Sequence, residues 1–199
     1  MLESYTPMHF LPKHSLHLSS HLREEANKSR FLRQLWSDAE HGKAGSQNEL
    51  GLLYAKGFGV PKDYVEAVKW FLRAAEQGDY SAQFNLGVMH AEGVGVQVDF
   101  AEAVKWFRNA AEQGYFAAQS NLGFMYANGD GVVKDIIEAY AWLNLAGSQG
   151  CVRSRENLRI LENELTPAVI LGGAEKNPRA DQGDQRQEKE GSVSSPLLA

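Results

Sequence analysis

Cysteine is nearly missing from this chain: Cys151 stands alone among 199 residues. One thiol cannot close an intrachain disulfide or build a multi-thiolate zinc site. A lone cysteine is most often a small packing residue, so an inert Cys151 is expected rather than a reactive one. Long apolar runs are missing too. None approaches the ~18 residues needed to cross a bilayer, which argues against membrane insertion. The start, Met1-Leu2-Glu3-Ser4-Tyr5-Thr6-Pro7, places an acid where a secretory signal wants basic charge. It also lacks an apolar core of ~7–15 residues, so a cytoplasmic location is expected. Charge of one sign is scarce: the net value is −5, and no basic run or stripe points to nucleic acid. Catalytic signatures are absent as well. There is no Ser-x-x-Lys, Ser-Asp-Asn or Lys-Thr-Gly, no Gly-x-Ser-x-Gly and no His-Glu-x-x-His. The expectation is a chain that is not an enzyme and takes no cofactor or metal.

What is present is repetition at a spacing of 36 residues. Leu50-Gly51 recurs as Leu86-Gly87 and Leu122-Gly123. Gly57-Phe58-Gly59-Val60 recurs as Gly93-Val94-Gly95-Val96 and Gly129-Asp130-Gly131-Val132. Trp70, Trp106 and Trp142 hold one register, and Gly78, Gly114 and Gly150 another. A fixed period in this range marks a solenoid, in which each unit buries its apolar face on its neighbours. The fold expected is an all-α solenoid of helix-turn-helix repeats, with three full repeats and a half-repeat at each end.

Each unit reads as helix A, a glycine loop and helix B. In the middle unit helix A runs from about Ser81 to Glu92, burying Ala82, Leu86 and either Met89 or His90. The loop Gly93-Val94-Gly95-Val96 suits positive φ at a helix end. No strand precedes it and no full dinucleotide or Walker pattern surrounds it, so a turn is expected rather than a phosphate site. Helix B opens at Asp99, with Glu102 three residues on, a capping-box pattern repeated by Asp63 with Glu66 and Asp135 with Glu138. Its buried face is Ala103, Trp106, Phe107 and Ala110, with the tryptophan filling the gap between units. Gly114 ends it as a C′ glycine.

Half-units flank the repeats. Residues 31–42 end in Ala39-Glu40-His41-Gly42 and read as a helix B without its partner. Leu158 falls one period after Leu122, so about 153–164 reads as a last helix A. Arg153, Arg155, Glu156 and Arg159 suit a cap with one face to water. Thr166-Pro167 can start a short closing helix. Residues 1–30 form an arm without repeats, in which His14, His17 and His21 read as solvated rather than as metal ligands. Residues 31–173 form the repeat domain. Residues 174–199 contain no aromatic residue and alternate charges among Gln, Gly and Ser, so a disordered tail is expected.

These residues resemble the SEL-one-like repeat family, relatives of the tetratricopeptide repeats. The likeness covers roughly 31–170. It rests on Ala-x-x-x-Leu-Gly (Ala82 to Gly87), the Gly-x-Gly-Val loop, and Glu-Ala-x-x-Trp-Phe followed by Ala-Ala-Glu-Gln-Gly. The third unit, Glu138-Ala139-Tyr140-Ala141-Trp142-Leu143, is similar to the terminal repeat common in bacterial members. Departures are small: Ser46 replaces an alanine, His90 replaces the usual tyrosine, and Gly147 replaces the second alanine.

The resemblance implies a protein-protein interaction scaffold or adaptor that binds a partner protein or peptide and is itself a monomer. The alternatives are a beta-lactam hydrolase, as described for some members, and a structural or regulatory component of an envelope or secretion assembly. In tetratricopeptide-like solenoids the concave face comes from helix A. That places candidate protein-binding residues at Asn48, Glu49, Leu52 and Lys56; at Phe84, Asn85, Val88 and Glu92; and at Ser120, Asn121, Phe124 and Asn128. Amides can bond an extended backbone while the apolar members take side chains. With Lys56 nearly alone among basic groups there, no strong preference for anionic peptides is expected.

Overall fold

The computed structural model describes residues 30–164. The histidines of the N-terminal arm, Thr166-Pro167 and the C-terminal tail lie outside them. Among the described residues there are eight helices and no strand. Helix α1 covers 30–40. Then follow α2 (Ala44–Lys56), α3 (Tyr64–Glu76), α4 (Tyr80–Glu92), α5 (Phe100–Glu112), α6 (Phe116–Asn128), α7 (Ile136–Ser148) and α8 (Val152–Glu164). Even-numbered α2, α4, α6 and α8 are A helices; α1, α3, α5 and α7 are B helices. From α2 onward each helix packs on the next in sequence, and α6 also touches α8. Packing chiefly between successive helices is the solenoid arrangement that the period predicts.

The helix boundaries follow from capping chemistry. Asp63, Asp99 and Asp135 sit at the N-caps of α3, α5 and α7. Their carboxylates accept first-turn amides, for example Glu66 N–H at 3.0 Å, Glu102 N–H at 2.9 Å and Glu138 N–H at 3.0 Å. The reciprocal half of the capping box does not form at the first two. The amides of Asp63, Asp99 and Asp135 instead donate to Tyr54, His90 and Tyr126 carbonyls at 3.0, 2.9 and 3.0 Å. Those bonds tie each B helix to its own A helix. Glu66 and Glu102 turn outward to Lys69 and Lys105. Helix α4 begins at Tyr80, slightly ahead of the sequence expectation, because Asp79 caps it through Ala82 N–H at 2.8 Å.

Two sets of glycines fix how closely the elements approach. The first loop glycine ends each A helix at positive φ, as with Gly93 at 68°. The second lies against the preceding unit: a Cβ on Gly95 would stand 2.5 Å from the Tyr64 carbonyl oxygen, and one on Gly131 2.2 Å from Phe100 carbonyl carbon. The Leu-Gly glycines serve helix packing. A Cβ on Gly87 would lie 2.6 Å from the Phe107 ring.

Apolar side chains fill the space between units as well as within them. Trp70 of α3 joins Leu35 and Ala39 of α1 and Leu50 of α2. Trp106 of α5 joins Ala67, Phe71, Ala74 and Ala75 of α3 and Ala82, Leu86 and Met89 of α4. Each tryptophan thus reaches back to the B helix before its own. Met89, not His90, supplies the last buried position of α4.

A polar ladder runs beside this core. Gln47, Gln83 and Gln119 are buried, and each donates to a carbonyl of the preceding B helix: Ala39 at 3.0 Å, Ala75 at 3.2 Å and Ala111 at 3.0 Å. Their own amide oxygens accept from Gln77, Gln113 and Gln149 at 2.6, 2.8 and 2.7 Å. Each of these carbonyls also accepts the amide of Gly42, Gly78 or Gly114, so the glutamine adds a second bond at the helix end and ties it to the next unit.

Candidate functional site

The A helices present the candidate residues at corresponding positions of α2, α4 and α6. Glu49, Lys56, Glu92, Phe124 and Asn128 are exposed. Asn48, Leu52, Phe84, Asn85, Val88 and Asn121 are half-buried. Two of the asparagines meet directly: Asn85 Nδ2 donates to Asn48 Oδ1 at 3.1 Å, linking neighbouring A helices. Asn128 Nδ2 donates to Asp130 Oδ2 at 3.1 Å, so that amide is engaged locally.

The apolar members divide their surface between core and solvent. Leu52 packs on the core cluster of the next unit, and Phe84 and Val88 do the same one unit further on. Their half-burial comes from bridging successive units with one side of the side chain. Phe124 remains open, at 42 % exposure. Ser120 corrects the sequence expectation. It is 4 % exposed and offers no surface to a partner. Its helix, α6, packs against both α7 and α8.

The structure adds four residues to this face, two of which the period could have revealed. Tyr80 and Phe116 are one period apart, at the first position of α4 and α6, and both are exposed. Tyr115 lies between them. Its ring centroid is 5.3 Å from Tyr80, 5.1 Å from Phe84 and 6.0 Å from Phe116. These distances are in the range where aromatic pairs attract. The Arg153 guanidinium of α8 stands 5.9 Å from the Phe124 ring centroid, a cation–π contact across helices. The result is a row of aromatic rings at the start of α4 and α6, an amide pair linking α2 to α4, and a cation against Phe124.

Among the described residues no helix is long and apolar enough to cross a membrane, and no cluster of three or more His, Cys, Asp or Glu is placed to hold a metal ion. Comparison with known proteins agrees with the architecture. The family model of the Sel1 repeat matches three times, at residues 44–79, 81–115 and 116–151. No curated protein is matched. Among solved structures, a protective antigen present in uropathogenic Escherichia coli strains, displaying an SLR fold, is 45 % identical with a TM-score of 0.66. The match covers 67 % of this chain but only 28 % of that protein, so the chain spans under a third of its length. A Sel1 repeat protein from Oxalobacter formigenes is 37 % identical with a TM-score of 0.62, over 66 % of this chain and 98 % of that one. The chain belongs to the Sel1 repeat family.

Proposed function

We propose that this protein is a non-enzymatic adaptor that binds an extended segment of a partner protein along the A-helix face of α2, α4 and α6. Sel1 repeat proteins generally act as protein-interaction scaffolds, which sets the class of function. The observation that supports this face is the aromatic row of exposed Tyr80 and Phe116 and half-buried Tyr115 and Phe84, together with the Asn48–Asn85 pair between α2 and α4. Aromatic rings supply rigid apolar area at low entropic cost, and side-chain amides can bond a peptide backbone. Basic groups are few there: Lys56 and Arg153 stand against Glu49 and Glu92. Shape and apolar burial therefore dominate over charge.

The test is partner capture from the native organism. The double variant Asn85→Ala, Phe124→Ala is expected to lose capture while keeping its melting temperature nearly unchanged, since Phe124 is exposed and Asn85 only half-buried. Undiminished capture would move the site elsewhere. Affinity is expected to change little between low and high salt; a steep loss would reveal a charge-driven site instead.

A further inference from the structure

The two ends of the repeat array are finished differently. Among the described residues α1 is a B helix with no A helix before it, and α8 is an A helix with no B helix after it. At α8 charge closes the open side. Arg155 and Arg159, both exposed, hold the positions of Gln119 and Gly123, and Gly123 is where α6 meets Leu143 of its B helix. At α1 the open side is apolar. In the three full units the register of Phe31 is held by Ala67, Ala103 and Ala139, all fully buried. Phe31 itself is 58 % exposed.

A second phenylalanine adjoins it. The loop glycine Gly59 stands against α1, where an added Cβ would lie 3.0 Å from Leu32 Cδ1. Phe58 and Phe31 are the chain neighbours of these two residues, and Phe58 is 64 % exposed. Its counterpart Val94, one period on, packs on the core cluster of α3 and α4. Terminal units of a solenoid need a polar outer face, and two open phenylalanines do not provide one. The rings also restrict what can cover them. A phenylalanine in place of the alanine holds any neighbour further off than a regular A helix stands.

We propose that residues 8–22 fold back over this end as a cap, seating their apolar side chains on Phe31 and Phe58. The chain itself leads there, since 29 residues precede Arg30 and Phe31 follows it directly. Met8, Phe10, Leu11, Leu16, Leu18 and Leu22 supply apolar surface, whereas 23–29 hold polar and charged residues with one alanine. Extended, those seven residues span up to ~25 Å, enough to double back over the first turn of α1. The segment does not copy an A helix: one period before Leu50-Gly51 stand His14-Ser15. The glycine that lets an A helix approach closely and the alanine that receives it are therefore both replaced, one on each side of the contact. The cap keeps a second copy from stacking on α1. It stands apart from the peptide-binding reading and does not depend on it.

The experiment uses the full chain with the photo-crosslinker benzoylphenylalanine in place of Phe31 or, in a second sample, of Phe58. Both positions are exposed, so the larger side chain does not disturb the core. Light is expected to give links within one chain, mapped by peptide mass chiefly to residues 8–22. A companion chain also carries Phe10→Ser, Leu11→Ser, Leu16→Ser and Leu18→Ser, all outside α1–α8. It keeps the tether and loses the apolar side chains. Its yield is expected to fall at least about ten-fold, because burying even one leucine side chain is worth that factor. A link that came from tethering alone would survive these changes. The proposal is overturned if no link forms, if the links join two chains, if they map chiefly outside residues 8–22, or if the serine variant gives the same yield.

Discussion

Leu86 in α4 and Leu158 in α8 hold the same register two periods apart, yet their surroundings differ. Helix α4 packs on both α3 and α5, whereas α8 has α7 and part of α6 as its partners among the described residues. The neighbouring positions follow suit. Gln83 in α4 bridges the Ala75 carbonyl and Gln113, while its counterpart Arg155 donates to the Gly150 carbonyl from an exposed position. Gly87 accepts the Phe107 ring, while its counterpart Arg159 faces water. The comparison teaches that a register alone does not set a residue's energetic weight. In a linear array that weight depends on how many neighbours the unit touches.

The largest expected break of this comparison is Trp106→Ala. Trp106 fills the space between α3, α4 and α5, so its loss opens a cavity between two central units. A cost of about 3–5 kcal/mol is expected for removing a large buried aromatic. Leu158→Ala at the end is expected to cost about 2 kcal/mol, the low end for a core leucine, and to fray α8 locally. Denaturant unfolding followed by circular dichroism checks both. Equal destabilisation by the two would mean that the units do not stack as separate neighbours.

Much of this architecture was legible in the sequence. The period placed the A and B helices, and the Asp N-caps and αL glycines bounded them, because capping chemistry is local. The buried faces Ala82-Leu86-Met89 and Ala103-Trp106-Phe107-Ala110 also followed from spacing. The second loop glycine was legible as a turn residue, but its packing against the preceding unit was not, since that contact lies across the repeat. The glutamine ladder was hidden for the same reason: Gln83 and Gln113 are 30 residues apart and their bond depends on helix placement. In the candidate face, Ser120 was misread because its register gave no sign that α8 would close over α6. Tyr80 and Phe116 were missed although they repeat in register.

An intermediate effect sharpens the comparison within the centre. Gly87→Ala places a Cβ 2.6 Å from Phe107 atoms, closer than carbon atoms can stand. The ring is 2 % exposed and has little room to retreat. Overpacking of this kind is expected to cost about 1–3 kcal/mol, despite the better helix propensity of alanine. A melting temperature at or above wild type would show that α4 and α5 are not held at this separation.

The smallest expected effect has the opposite sign. Gly147 lies near the end of α7, where the two preceding units carry Ala75 and Ala111. A Cβ there would meet Arg155 Cγ at 3.2 Å and Leu158 Cδ1 at 3.6 Å. The first is part of a flexible, exposed side chain that can shift by a few tenths of an ångström, and the second is an ordinary contact. Gly147 does not require positive φ, so alanine fits its backbone. Glycine inside a helix costs roughly 0.5–1 kcal/mol relative to alanine, so Gly147→Ala is expected to stabilise the chain by up to about that amount. The gain should appear as a small rise in melting temperature with an unchanged denaturant slope. A loss comparable to that of Gly87→Ala would mean that α7 and α8 pack as tightly as α4 and α5, and the contrast between centre and end would fall.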